Sequence, residues 1–259
     1  MTGSMLKIEG LSKRFGGLTA VDNLSLDFAE GKLHAVIGPN GAGKTTLFNL
    51  ITGLLKSDSG RVLFRDHDIT GLKPHQISRL GVKRTMQIKS VFNQLTVSEN
   101  LSITRQSAQR FLHPLRPASR DRQTRERVDE VLEQMDMTRL AGQIAGTLSY
   151  GDIAMLEIGM AVISEPQLLL LDEPICGMSP AETERAVSKI RELARTIGII
   201  IIEHDMEVVF GIADDITVLA QGALLTSGTP KEIADNEQVR EAYLGRPEDE
   251  SYVDEALHA

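Results

Sequence analysis

The chain has 259 residues, 41% of them apolar, and carries a net charge of −8 with a pI near 5.3. That is enough chain for one large domain or two small ones with a full core, and the acidic balance excludes a general nucleic-acid surface. The single cysteine, Cys176, excludes an internal disulfide and fits a reducing compartment, while no apolar run approaches the ~20 residues of a membrane helix and the N-terminus lacks the apolar core of a signal peptide.

Met1-Thr2-Gly3-Ser4, ahead of Met5, reads as a lead outside the fold. Residues 6–9 and 24–28 alternate as short strands, with Ser12-Lys13-Arg14-Phe15-Gly16-Gly17 between them. Residues 33–37 form an apolar run broken by His34, and lead into Gly38-Pro39-Asn40-Gly41-Ala42-Gly43-Lys44-Thr45-Thr46. This fits G-x-x-x-x-G-K-[ST] in full. A helix pattern over 44–54 follows, so the motif sits in its required context of strand, glycine loop and helix. Glycines let backbone N–H groups converge on an anion, and the helix start adds partial positive charge. Lys44 then reaches the β- and γ-phosphates, and the Thr45 hydroxyl is a Mg²⁺ ligand.

Residues 60–65 read as a strand, 74–80 as a short helix and 82–87 as a strand. From Thr96 to about Ala161 the patterns are helical, most clearly at Val128, Val131, Leu132 and Met135. This block holds an arginine-rich stretch, 105–127, that reads as a solvated loop and helix face, with an anion- or partner-binding segment as the alternative. Strand texture returns at 167–171, a continuous apolar run of the kind buried on both faces. A helix over 180–196 has Ser179 as N-cap, Pro180 at its first position and Glu182 three residues after the cap. A second buried strand spans 199–202, and 215–220 and 223–226 form a hairpin around Gln221-Gly222. Two short helices end near Leu244, and the acidic, polar tail 246–259 reads as disordered.

The run Leu168-Leu169-Leu170-Leu171-Asp172-Glu173 drives a strand through the core and delivers two carboxylates at its end. Asp172 suits a Mg²⁺ partner, and Glu173 suits a base for the water that attacks the γ-phosphate. Strand alternation is expected to point the two side chains in different directions.

These motifs resemble the nucleotide-binding subunit of an ABC transporter. Leu148-Ser149-Tyr150-Gly151-Asp152 is similar to the family signature, usually L-S-G-G-Q. The motifs run from Phe15 to His204, and the overall pattern covers nearly the whole chain. The resemblance implies an α/β P-loop NTPase fold of the ABC ATPase type. A mixed-sheet core (5–87 and 162–245) would carry an inserted α-helical subdomain (88–161), the whole being one domain, 5–245. It implies ATP and Mg²⁺ as cofactors. Phe15 would stack on adenine, Gly38 to Thr46 would cradle the phosphates, and Ser149 and the Gly151 backbone would reach the γ-phosphate of a second subunit. Thr45, Gln87 and Asp172 would hold the metal, and Glu173, Gln87 and His204 would serve catalysis. The departures are Tyr150 for a glycine and Asp152 for the glutamine, whose carboxylate is expected to repel a nearby triphosphate. Cys176-Gly177-Met178-Ser179 also stands where many relatives carry Ser-Ala-Leu-Asp.

Leu156-Glu157-Ile158, Gly177-Met178, Glu203-His204-Asp205-Met206 and Ala242-Tyr243-Leu244-Gly245 resemble the LivG-type ATPases of branched-chain amino acid importers. Urea and short-chain amide importer ATPases share these features, and lipopolysaccharide-export ATPases share fewer. The resemblance implies membrane permease subunits, a second ATPase subunit (a copy or a paralogue) packed head to tail, and a separate solute-binding protein as partners. It implies no nucleic acid, and a peripheral position on the cytoplasmic face of the membrane. Ile88, Val91, Phe92 and Leu95, beside Gln87, are expected to take a short helix of the membrane subunit. A soluble ABC ATPase and a regulatory nucleotide-binding subunit with little hydrolysis are the readings from other classes.

Overall fold

The computed structural model describes residues 3–85, 91–109 and 122–244. Two compact units emerge: Met1–Gly71 with Ile202–Ala259, and Leu72–Ile201.

In the first unit, β1 (Ser4–Phe15) and β2 (Leu18–Ala29) form a long antiparallel hairpin. Both strands extend well beyond the short stretches expected from alternation. The reason is a series of register shifts, between Ile8 and Leu11, Leu11 and Lys13, and Lys13 and Arg14. Each irregularity resets which side chains face inward, so a regular two-residue period survives only in pieces. The N-terminal lead is partly inside the fold, since Ser4 pairs with Ala29. Further along the chain, β4 (Ser59–Phe64) and β5 (His67–Asp68) complete a sheet of order β2-β1-β4-β5.

The same unit holds β3 (Leu33–Ile37), buried along its whole length. It runs parallel to β9 (Asp215–Ala220), pairing Ile37 with Val218, and β9 turns back antiparallel into β10 (Ala223–Gly228). The turn residues Gln221 and Gly222 have φ of 50° and 82°, the left-handed pair that suits a two-residue hairpin. Helix α1 (Lys44–Ile51) follows β3 and stops before the expected residue 54. Its stop is Gly53 at φ 70°, a left-handed glycine just past the C-cap. Three capped or short helices, α7 (Met206–Ile212), α8 (Pro230–Ala234) and α9 (Glu237–Leu244), finish this unit.

In the second unit, β6 (Val82–Arg84) pairs in parallel with β7 (Leu168–Asp172), and β8 (Gly198–Ile202) lies beside β7. Helix α2 (Pro74–Arg79) precedes β6. The helical block contains α3 (Val97–Gln109), α4 (Arg122–Gln134) and α5 (Tyr150–Val162), and α6 (Pro180–Leu193) follows β7. The four apolar residues read from the sequence, Val128, Val131, Leu132 and Met135, are all buried. Gly159 marks where three helices converge: a Cβ there would stand 3.4 Å from Met135 and 3.5 Å from Leu101 and Val131.

The arginine-rich stretch departs from its expected solvated character. Arg105 Nη1 donates to the Ile163 carbonyl and Arg127 Nη2 to the Val162 carbonyl, both at 3.2 Å. Both guanidinium groups also pair with Glu165, at 3.4 and 3.5 Å. Cations at the end of α5 satisfy its last carbonyls and complement its dipole. Residues 110–121 of that stretch, Gln87 at the end of the strand expected over 82–87, Ile88 of the expected docking surface, and the tail 246–259 lie outside the described residues.

Candidate nucleotide-binding site

The phosphate loop leaves β3 at Gly38, and its geometry demands its glycines. Gly38, Gly41 and Gly43 have φ of 150°, 80° and 97°. At Gly43 the space is closed as well: a Cβ would stand 2.3 Å from the Ala20 carbonyl oxygen. Gly43 is the residue before α1 and has no side chain to cap it, and the first turn of α1 contains no acid. Backbone N–H groups of a helix start have no intrahelical acceptor, so this end is built for an anion. Lys44 is buried. Its Nζ donates to the Gly38 carbonyl at 2.6 Å and the Pro39 carbonyl at 3.1 Å, which folds the ammonium back over the loop. Pro39 also accepts from the Ala42 N–H at 3.1 Å, tightening the turn through Asn40 and Gly41. Thr45 and Thr46 follow in the first turn of the helix.

Phe15, at the end of β1, is 46% exposed and so is not a core phenylalanine. Lys13 Nζ lies 5.7 Å from its ring centroid, and the same ammonium is held by Asp58 at 2.8 Å. The ring is therefore presented on a braced strand end with one face toward a cation, a geometry suited to stacking on a planar ligand. His204 follows β8 and its side chain is 60% exposed. Glu203, buried next to it, accepts the His204 backbone N–H at 3.1 Å and stands 3.7 Å from Nδ1.

In the second unit the four leucines of β7 are buried and carry Asp172 to the strand end. The Asp172 side chain is fully enclosed, with Oδ2 held by Arg84 Nη2 at 2.6 Å. Oδ1 is buried with no hydrogen-bond partner among the described residues. An enclosed carboxylate oxygen without a donor is costly unless something else meets it, and a divalent cation or its water is the partner such an oxygen suits. Glu173 lies beyond the last strand residue with φ 49°. Its direction is thus set by a left-handed turn and not by the strand alternation expected from the sequence. Such a conformation in a non-glycine residue costs energy, and it recurs at functional sites.

Ser149 caps α5: its Oγ accepts from the Asp152 N–H at 3.1 Å and donates to Asp152 Oδ2 at 3.0 Å. The Gly151 N–H donates to Glu182 Oε1 at 3.1 Å. Glu182 is also the capping-box residue of α6, accepting from the Ser179 N–H at 3.0 Å and the Ser179 hydroxyl at 2.8 Å. One carboxylate thus serves two helix starts. The Ser179 N–H and hydroxyl, followed by Ser149 and the Gly151 N–H, hold it down at about 2. The carboxylate of Asp152, expected to repel a triphosphate, is paired with Arg185 Nη1 at 3.0 Å. Tyr150 has a structural counterpart in Gly177: a Cβ at Gly177 would meet the Tyr150 ring at 3.3 Å, so the two departures from the family pattern fit each other.

The geometry keeps the glycine loop, Lys44 to Thr46, Phe15 and His204 in the first unit, and Asp172, Glu173, Ser149 and Gly151 in the second; Gln87 lies outside the described residues. Sequence reasoning missed Arg84, the second role of Glu182, and Arg185. None of the three was findable from local pattern, because their partners are 88, 31 and 33 residues away.

A family model described as ABC transporter matches residues 21–176, and one described as branched-chain amino acid ATP-binding cassette transporter matches residues 223–249. The chain is 41% identical over 253 residues to the high-affinity branched-chain amino acid transport ATP-binding protein LivG of Escherichia coli (strain K12), covering 95% of this chain and 99% of that protein. Identity and coverage are the same for the corresponding protein BraF of Pseudomonas aeruginosa, 41%, 95% and 99%. Among solved structures, the chain is similar to an ATP-binding cassette of an ABC transporter in its ADP conformation. The TM-score is 0.85 at 30% identity, over 95% of this chain and 100% of that chain. The ABC transporter model runs from β2 through the phosphate loop to the turn after β7, and the chain belongs to that family, as an ATP-binding cassette ATPase of the α/β P-loop fold.

Proposed function

We propose that this ATPase powers import of branched-chain or related hydrophobic amino acids, with residues 5–245 acting as one ATPase domain and 88–161 as its helical subdomain. The match of residues 223–249 to a branched-chain amino acid cassette model is the observation that carries this choice of solute. Its partners are membrane permease subunits, a second ATPase subunit and a solute-binding protein, and it works at the cytoplasmic face of the membrane. No helix among the described residues is long and apolar enough to cross a membrane, which suits a peripheral subunit. Phe92, half exposed on a loop tied down by the buried Asn100, is the docking residue for a permease.

Adenine stacks on Phe15. The Lys44 ammonium exchanges the Gly38 and Pro39 carbonyls for phosphate oxygens, and the N–H groups at the start of α1 take the rest. The Thr45 hydroxyl and Asp172, with Gln87, are the donor set for Mg²⁺; the enclosed, donor-less Oδ1 of Asp172 fits that assignment. Bound there, Mg²⁺ neutralises charge that builds on the phosphate oxygens. Glu173 accepts the proton of the attacking water and His204 contacts the γ-phosphate. Ser149 and the Gly151 backbone meet the γ-phosphate held by the other subunit.

The test is Glu173→Gln, which keeps the shape and removes the charge. With ATP and Mg²⁺ the variant is expected to elute as a stable dimer on size exclusion and to release phosphate at least about a hundredfold more slowly than wild type. The paralogous partner is included in a parallel sample. Phosphate release at the wild-type rate would remove Glu173 from the catalytic role.

A further inference from the structure

Both donors that the proposed function assigns to the γ-phosphate of the facing subunit already have acceptors in their own chain. The Ser149 hydroxyl donates to Asp152 Oδ2 at 3.0 Å, and the Gly151 N–H donates to Glu182 Oε1 at 3.1 Å. A backbone N–H carries one proton, so a phosphate oxygen can take the Gly151 donor only after Glu182 has left it. The approach is covered as well. The Glu182 side chain lies across the open face of Gly151, where a Cβ would stand 2.7 Å from Oε1 and 2.8 Å from both Cδ and Cγ. Glu182 thus puts a carboxylate where the proposed function puts a phosphoryl oxygen. With the Ser179 contacts foremost, its pKa is held at about 2, so that carboxylate is fully charged at neutral pH.

The two oxygens of Glu182 have different partners. Oε2 accepts from the Ser179 N–H at 3.0 Å and the Ser179 hydroxyl at 2.8 Å, the local capping box of α6. Oε1 makes the contact to Gly151, 31 residues back in the chain. Losing that contact leaves the cap of α6 in place, so a shift of one side chain frees the start of α5. We propose that Glu182 is an autoinhibitory latch: it occupies the anion-receiving start of α5 in the free chain, and the triphosphate end of ATP on the facing subunit must displace it before the dimer closes. This rests on the reading that Ser149 and Gly151 meet the γ-phosphate. Closure then exchanges one anion for another at the same donor, and its free energy contains only the difference between the two contacts. The contact that stabilises the free chain therefore opposes closure.

The test is the ATP concentration needed for dimer formation by the full chain carrying Glu173→Gln, followed by sedimentation velocity with Mg²⁺, with the paralogous partner in a parallel sample. Glu182→Gln is added to this background. A capping box accepts glutamine at this position, so the amide oxygen stays with Ser179 and the NH₂ group faces the Gly151 N–H, donor against donor. The half-maximal ATP concentration should fall about tenfold or more, as loss of one charge-assisted competitor requires. Glu182→Ala should move it the same way, and circular-dichroism melts verify that both variants are folded in the assay. A brace without a latch predicts the opposite sign, because a loosened α5 start closes less readily. An unchanged or raised ATP requirement in either folded variant would overturn the latch. Ser149→Arg tests the underlying reading separately and should abolish the ATP-dependent dimer. If the dimer persists with Ser149→Arg, that reading fails whatever the Glu182 variants do. If Ser149→Arg abolishes it and the Glu182 changes do not ease it, the latch alone fails. No ATP-dependent dimer in any sample, the Glu182 variants included, would overturn both.

Discussion

Single residues carry the phosphate loop, and they do so for different reasons. Gly41 and Gly43 both have positive φ, at 80° and 97°, but a Cβ on Gly41 meets nothing within 4 Å while one on Gly43 lies 2.3 Å from a backbone oxygen. Gly41→Ala should therefore cost only the left-handed conformation, about 1 kcal/mol. Gly43→Ala adds a clash with Ala20 that no rotamer relieves, and should cost about 3 kcal/mol or more. Urea denaturation distinguishes them: the midpoint of Gly43→Ala should fall well below that of Gly41→Ala. Equal midpoints would mean that the β2 backbone yields at Ala20. Asp172 makes a related point, since its type was legible at a strand end while the enclosure of Oδ1 and the Arg84 partner were not.

At the scale of elements, α5 and α6 start at a shared anion. The capping box of α6 was legible because Ser179 and Glu182 are local in sequence. The second contact, from the Gly151 N–H, needed the fold to bring α5 alongside. The Glu182 pKa falls from 4.5 to about 2, so the carboxylate contributes stability that is fully present above 4.5 and is lost as pH falls toward 2. Glu182→Gln should melt below wild type at neutral pH, and the gap should close as pH drops from 4.5 to 2. A gap of constant width across that range would assign the loss to the shape of the amide and not to the charge. The signature helix should also become less fixed, because one of its first-turn groups, the Gly151 N–H, loses a charged acceptor.

Across the whole molecule, acid sensitivity is expected in two windows: an upper one confined to the first unit, and a lower one that both units share through their lowered carboxylates, Asp58 and Asp68 in the first and Glu182 in the second. His34 is buried in β3, where its Nε2 donates to the Ala29 carbonyl at 3.0 Å and its ring meets Phe28 edge-on at 5.2 Å. Burial pushes its pKa below the ordinary 6.5. The folded state therefore favours the neutral ring, and the unfolded chain binds the extra proton. Stability is full above 6.5 and declines as pH falls below it, by at most about 1.4 kcal/mol per pH unit. The first unit should weaken in this range and the second only below 4.5, where Glu182 begins to protonate in the unfolded chain. Hydrogen exchange of α1 and α5 amides against pH would separate the two windows. In His34→Leu the upper one should disappear, and its persistence would place the responsible group elsewhere.

The sequence by itself determined what is local. A glycine loop between a buried strand and a helix, four leucines ending in two acids, a capping box and a left-handed hairpin turn each fit within a few consecutive residues, and each stands where it was expected. Element ends were less legible. The long strands β1 and β2 hid behind register shifts that break the two-residue period, and α1 ended early at a left-handed glycine. Only the tertiary structure decided the rest: that Arg84 holds Asp172, that Arg185 neutralises Asp152, and that Arg105 and Arg127 close the end of α5. Each of these joins residues far apart in the chain, and no local period or propensity encodes such a meeting; it follows from the packing of apolar faces, which brings charged groups together as a consequence.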